Sequence, residues 1–95
     1  MPKEEIQRRI DDNLSAIRKY LRGKFPGWTI TEESFPNRYH WFIVTHGSPF
    51  MCHKLKVNWV RLWRRDYTPE RTRRQLNIDL VASGMVHARF GYFPW

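Results

Sequence analysis

The chain predicts an α+β domain in the order α-β-β-β-α-β, an antiparallel meander sheet with its helices packed on one face. Three observations carry this. A single apolar stripe of helical period runs along the start of the chain. Three aromatic and β-branched runs follow, separated by turn residues. A capped helix start then stands at Thr68-Pro69-Glu70.

Ile6, Ile10, Leu14, Ile17 and Leu21 recur at spacings of four, four, three and four, which puts them on one side of a helix over 3–22. Arg8, Arg9, Asp11, Asp12, Arg18 and Lys19 fill the other sides. Pro2 suits the start and Gly23 the stop, because Gly accepts the left-handed conformation that ends helices. After "FPGW", the run "WTITEE" (28–33) alternates, with Trp28 and Ile30 on one face and Thr29 and Thr31 on the other.

"FPNR" (35–38) is turn chemistry. "YHWFIVTH" (39–46) has apolar residues on both faces, as a central strand covered by a helix would. "HGSP" makes the next turn. The third strand is expected over 53–63, with Leu55, Val57, Trp59 and Trp63 inward and Lys54, Lys56 and Asn58 outward. Val60 and Leu62 break that alternation, which predicts a bulge or a strand end tucked under a helix.

Thr68 as cap, Pro69 at the first position and Glu70 in the first turn open a second helix, expected over 69 to about 83 with a break and new cap at Asn77 and an end at Gly84. Leu76, Ile78 and Leu80 also alternate like a strand. "MVHARFGYF" (85–93) alternates as a last strand, and 91–95 forms an aromatic C-terminal tail that packs back on the sheet. The order α-β-β-β-α is similar to that of double-stranded-RNA-binding domains and of some small toxin ribonucleases. The likeness is one of element order and involves no shared motif.

At 95 residues the chain is expected to be one domain (1–95) with one core. A hydrophobic content of 41% and an aromatic content of 16% exclude a disordered chain. One cysteine, Cys52, excludes an internal disulfide framework and suits a reducing compartment. With no signal-like start and no apolar run of membrane length, a cytoplasmic protein without membrane partners is expected.

Seventeen Lys and Arg against nine Asp and Glu leave a net charge of +8, which favours polyanionic partners. "KLKVNWVRLWRRD" (54–66) is the densest basic stretch. Lys54 and Lys56 share a strand face, Arg61 points the opposite way, Arg64 and Arg65 follow the strand, and Arg71, Arg73 and Arg74 open the next helix. Such cations hold phosphate. Asp66 and Glu70 lie among them, so a solvated face is the competing interpretation. The candidate nucleic-acid contacts are Lys54, Lys56, Arg64, Arg65, Arg71, Arg73 and Arg74.

Trp28, Trp41, Trp59 and Trp63 are expected to build the core, Trp59 and Trp63 in preference to base stacking, and Tyr39, Tyr67, Tyr92 and Trp95 are the rings expected outside. His46, Cys52 and His53 do not have zinc spacing, and adjacent strand residues point apart, so neither metal nor cofactor is expected. His40 or His46 beside Lys54 and Lys56 would make a metal-independent ribonuclease. No Gly-rich phosphate loop or hydrolase motif is present, and no small-molecule substrate is expected of so small a core. The composition thus points to a domain binding RNA or DNA backbone with little sequence specificity. A protein-interaction module for an acidic partner comes second, and the ribonuclease third. Catalytic residues are not assigned.

Overall fold

The computed structural model describes residues 3–95, and the side chains of all of these except 48–50. The first helix, α1, spans Lys3–Lys24 and buries Ile10, Leu14, Ile17 and Leu21, the stripe read from the sequence. Pro2, expected at its start, lies outside the described residues. The helix runs one residue past Gly23. The Phe25 amide donates to the Leu21 carbonyl at 2.8 Å, and the left-handed turn comes at Gly27 (φ 83°).

β1 (Thr29–Phe35), β2 (Tyr39–His46) and β3 (Ser48–Asn58) form the antiparallel meander. Phe35 pairs with Tyr39 across a turn in which Asn37 takes φ 68°, a conformation that Asn tolerates better than most residues. Gly47 (φ 66°) turns β2 into β3, beside a register irregularity at Thr45 and His46. Phe42, Val44, Leu55 and Val57 face the helices and are fully buried with Ile17 and Leu21.

The third strand ends at Asn58, five residues before the expected limit. The Asn58 Oδ1 accepts the Val60 amide at 3.0 Å, and the chain winds into a single helical turn, α2 (Val60–Trp63). The broken alternation after Trp59 therefore marks a change from strand to helix. Leu62 takes the buried position, and Trp63 is 41% exposed, which corrects its assignment to the core. Trp59 is half-buried against the core, as expected.

α3 spans Pro69–Ile78. The Thr68 hydroxyl accepts the Arg71 amide at 3.2 Å and Pro69 fills the first turn, as the sequence predicts. The break falls at Leu80 rather than Asn77: Leu80 is left-handed (φ 50°, ψ 49°) and leads into α4, Val81–Val86. With no side chain of its own to cap it, α4 starts on the Tyr20 hydroxyl of α1, which accepts the Ala82 amide at 3.0 Å.

The strand expected over 85–93 is the largest correction. Val81 and Met85 are both buried at helical spacing, so residues 85 and 86 close α4. β4 is only Phe93–Pro94, and it runs parallel to β3, with Phe93 opposite Leu55 and Pro94 opposite Lys56. Gly84 permits this: a Cβ there would meet the Phe93 ring at 2.5 Å. The Trp95 amide donates to the Lys56 carbonyl at 2.8 Å, so the aromatic tail packs onto the sheet. The sheet order is β1-β2-β3-β4, and the α-β-β-β-α-β order stands, with the helices on one side.

Asn13 ties the helical layer together. It is fully buried, its Nδ2 donates to the carbonyls of Leu62 (3.0 Å) and Tyr67 (2.8 Å), and its Oδ1 accepts the Thr72 hydroxyl at 2.7 Å. One amide thus satisfies groups from α2, the loop after it and α3, as a buried polar group must be satisfied. Among the described residues no helix is long and apolar enough to cross a membrane.

Candidate nucleic-acid interface

Because strand side chains alternate, the residues opposite the buried set form the face the helices leave uncovered. That face carries Thr29, Thr31, Phe35 and one carboxylate, the exposed Glu33 opposite Trp41, from β1, Tyr39, Trp41, Ile43 and Thr45 from β2, and Lys54, Lys56 and Asn58 from β3. Tyr92, just before β4, joins them. The rings form a chain: Phe35 to Tyr39 at 5.0 Å, Tyr39 to Trp41 at 5.9 Å, and Trp41 to Tyr92 at 5.3 Å, the last two pairs edge to face at 79°.

Lys56 sits at the centre of this chain. Its Nζ is 4.5 Å from the Tyr39 centroid, 5.6 Å from Tyr92 and 5.7 Å from Trp41. The electron-rich ring faces hold the ammonium on the sheet rather than letting it swing in solvent, an attraction of about 0.5–1 kcal/mol per contact at exposed sites. Lys54, one pleat away, is exposed.

Beyond Lys56 the face runs into a groove of about 490 Å³ lined by Arg38, Tyr39, Lys56, Asn58, Arg61, Pro94 and Trp95. Arg38 comes from the β1–β2 turn and Arg61 from α2. The Arg61 guanidinium lies 4.0 Å from the Trp95 ring centroid, and its Nε donates to the Trp95 backbone carbonyl. The Trp95 indole N–H donates to Asp79 at 2.8 Å. This indole bond, with help from Gln75 and Arg61, holds the Asp79 carboxyl below its ordinary value against a small burial penalty. Burial, with the nearby charge of Arg71, lowers Arg61 from its ordinary value, more than Tyr67 and Asp79 raise it, and as an arginine it stays charged. At 4.0 Å the Arg61–Asp79 pair is the smallest influence on Asp79 and ranks behind burial and Tyr67 on Arg61.

The sequence-predicted cations fall into two groups. Lys54 and Lys56 lie on the uncovered face. Arg64 and Arg65 follow α2, and Arg71, Arg73 and Arg74 lie on α3, in the helical layer. Arg64 and Arg71 converge on Asp66 at 3.4 and 3.2 Å, and Arg71 also lies 4.8 Å from the Tyr67 ring. Arg73 reaches Glu70 at 3.5 Å. Arg65 and Arg74 are exposed and have no acidic partner among the described residues. Arg61 and Arg71 both lie over the Tyr67 ring, at 5.6 and 4.8 Å, so Arg71 stands near the groove that Arg61 and Lys56 line.

The histidines point away from the lysines. His40 is buried on the helix-facing side, its Nε2 2.8 Å from Glu32 Oε1, with no partner for Nδ1 among the described residues. His46 and His53 pack on the Trp28 ring, at 5.1 and 5.4 Å. Neither His40 nor His46 shares a face with Lys54 and Lys56. Arg18 donates one hydrogen bond to each Glu32 carboxylate oxygen, sharing Oε1 with His40. Burial raises the Glu32 carboxyl, but the bonds from Arg18 and His40, with the charges of both, outweigh it and hold it below its ordinary value.

Sequence reasoning missed Arg38, Phe35, Pro94 and the inward swing of Arg61, and it put Trp41 in the core, whereas the β2–β3 register sets it on the uncovered face opposite Lys56. The parity of Tyr39 and Trp41 was legible, but aligning it with Lys56 needs the β2–β3 register, and an irregular turn hides that. Arg61 left the sequence's strand parity because the strand ends at Asn58. No known family model, curated protein or solved structure matches the chain.

Proposed function

We propose that this domain binds single-stranded nucleic acid, RNA or DNA, on the uncovered sheet face with little sequence specificity. The observation that carries this is the Lys56 ammonium held among Tyr39, Trp41 and Tyr92 beside exposed Lys54. Rings with free faces stack unpaired bases at about 1–3 kcal/mol each, whatever the base, and cations between them meet the backbone. A duplex hides its base faces, so the rings favour a single strand. The net charge of +8 speeds encounter, and Arg65 and Arg74 on the helical layer add long-range attraction. One half-buried free cysteine suits a reducing, cytoplasmic setting.

The test is fluorescence anisotropy with short single- and double-stranded RNA and DNA at several salt concentrations. Micromolar or tighter binding of single strands, weakening log-linearly with salt, supports the proposal. Binding of duplex alone would move the site to the arginines, and no binding at low salt would sink the nucleic-acid reading.

One observation favours the protein-interaction module: Ile78, Leu80, Val86 and Phe90 are exposed apolar side chains, Phe90 at 86%. A stoichiometric complex with an acidic protein that survives nuclease treatment, and is broken by Phe90→Ser, would favour that alternative.

A further inference from the structure

We infer that Glu33 reads one base of the bound strand and selects guanine, whose N1–H and N2–H both donate to its carboxylate while the base lies on Trp41. This rests on the strand-binding proposal and adds to it the base that one position prefers.

Trp41 pairs with Glu33 on one side and with Lys56 on the other, so the three form a row across β1, β2 and β3. Directly opposite side chains on one face stand about 4.5–5.5 Å apart at Cβ, which puts both charged groups within reach of the indole. The lysines of this face, Lys54 and Lys56, are on β3, and Glu33, on β1, is its one carboxylate among the described residues. A strand whose phosphates follow the lysines therefore lays its bases across β2 and turns their edges toward β1.

Glu32, one residue earlier, turns to the helix side, where Arg18 and His40 occupy both of its oxygens. Glu33 is exposed and has no hydrogen bond or ion pair among the described residues. An ionised carboxylate only accepts, through two oxygens. Facing a phosphate it would repel the strand; facing the N–H groups of a base it holds that base in place.

The donor pattern selects the base. Unpaired bases stacked on rings are read along their Watson–Crick edges. Guanine carries two adjacent donors there, matched to the two oxygens. Adenine sets the acceptor N1 beside N6–H, and cytosine sets the acceptor N3 beside N4–H. Uracil and thymine hold a single N3–H between two carbonyl oxygens. Each of these three therefore turns an acceptor toward the carboxylate, and guanine does not.

The experiment measures fluorescence anisotropy of the whole chain with a short all-thymine DNA strand and with the same strand carrying one central guanine, hypoxanthine or adenine. Hypoxanthine keeps N1–H and lacks N2–H, and adenine controls for purine stacking. Guanine is expected to bind about fivefold or more tighter than adenine, with hypoxanthine between them. Glu33→Gln is expected to abolish or reverse the guanine-to-adenine ratio, because a carboxamide matches adenine's paired donor and acceptor. The ratio is taken within each protein, so a change in overall affinity does not enter it. Strands that bind without preferring guanine overturn the role of Glu33 and leave strand binding intact. A guanine preference that survives Glu33→Gln, or that hypoxanthine reproduces in full, also overturns it. If no strand binds at low salt, both proposals fall.

Discussion

The Lys56 ammonium lies 4.5 Å from the centroid of the Tyr39 ring, a contact made across the β2–β3 pairing from the position opposite Trp41. Cation and ring are thereby presented together on one surface. Lys56→Met keeps the aliphatic stem and removes the charge, so single-strand affinity is expected to fall by about 1 kcal/mol and the fold to lose no more than about 1 kcal/mol. Tyr39→Ala and Trp41→Ala are each expected to cost about 1–3 kcal/mol of binding. Anisotropy titrations with matched urea melts separate the two effects, and unchanged affinity in all three variants would refute the platform.

The two groups of cations should differ in their salt dependence. Lys54→Ala/Lys56→Ala is expected to lower the slope of log K against log salt by about 1.4, at roughly 0.7 per phosphate contact on a single strand. Arg71→Ala/Arg74→Ala should leave that slope nearly unchanged, because Arg71 is engaged by Asp66 and Arg74 lies on the helical layer. The reverse pattern would place the strand on α3.

Asn13 should be hard to replace. Asn13→Ala leaves the Leu62 and Tyr67 carbonyls and the Thr72 hydroxyl without their partner, for an expected loss of about 2–4 kcal/mol. Thr72→Val keeps the shape and strands only the Asn13 Oδ1, so about 1–2 kcal/mol is expected. Equal losses in urea denaturation would show that one hydrogen bond carries the hub.

Gly84→Ala tests how the tail is held. The new Cβ would stand 2.5–3.0 Å from three Phe93 ring atoms, so the ring must move, and β4 is expected to shift with it. A loss of about 1–3 kcal/mol is expected, together with faster proteolysis after Tyr92. Unchanged proteolysis would mean that the half-buried Phe93 ring turns aside without moving the backbone.

The acid response has a definite sign. Glu32 is held below its unfolded value of 4.5, so its contribution is complete above about pH 4.5 and is lost as pH falls through the lower folded value. Asp79 acts in the same direction from 3.8. Glu32→Gln is expected to be less stable than the parent at neutral pH and to lose less stability between about pH 5 and pH 3. Parallel loss in both proteins would show that the Arg18–Glu32–His40 cluster contributes nothing to acid sensitivity.

Local physics made much of the fold legible. The Ile10–Leu14–Ile17–Leu21 stripe, the Thr68-Pro69 cap and the outward parity of Lys54 and Lys56 depend on neighbours within one turn or one pleat, and each holds in the structure. The failures lie where distant residues decide. Residues 85 and 86 alternate like a strand, but Met85 is helical because its burial with Val81 outweighs the pattern. Trp63 looks like a core residue until Asn58 caps the turn that rotates Leu62 inward instead.

The sequence by itself therefore determined the element order, the apolar faces and the excess of positive charge, since propensity, period and composition are properties of contiguous residues. Only the tertiary structure decided which charges act together. The β2–β3 register brings Lys56 to Tyr39 and Trp41, and the tail brings Trp95 to Arg61. Those associations join residues up to 34 positions apart, at distances set by packing rather than by any local preference.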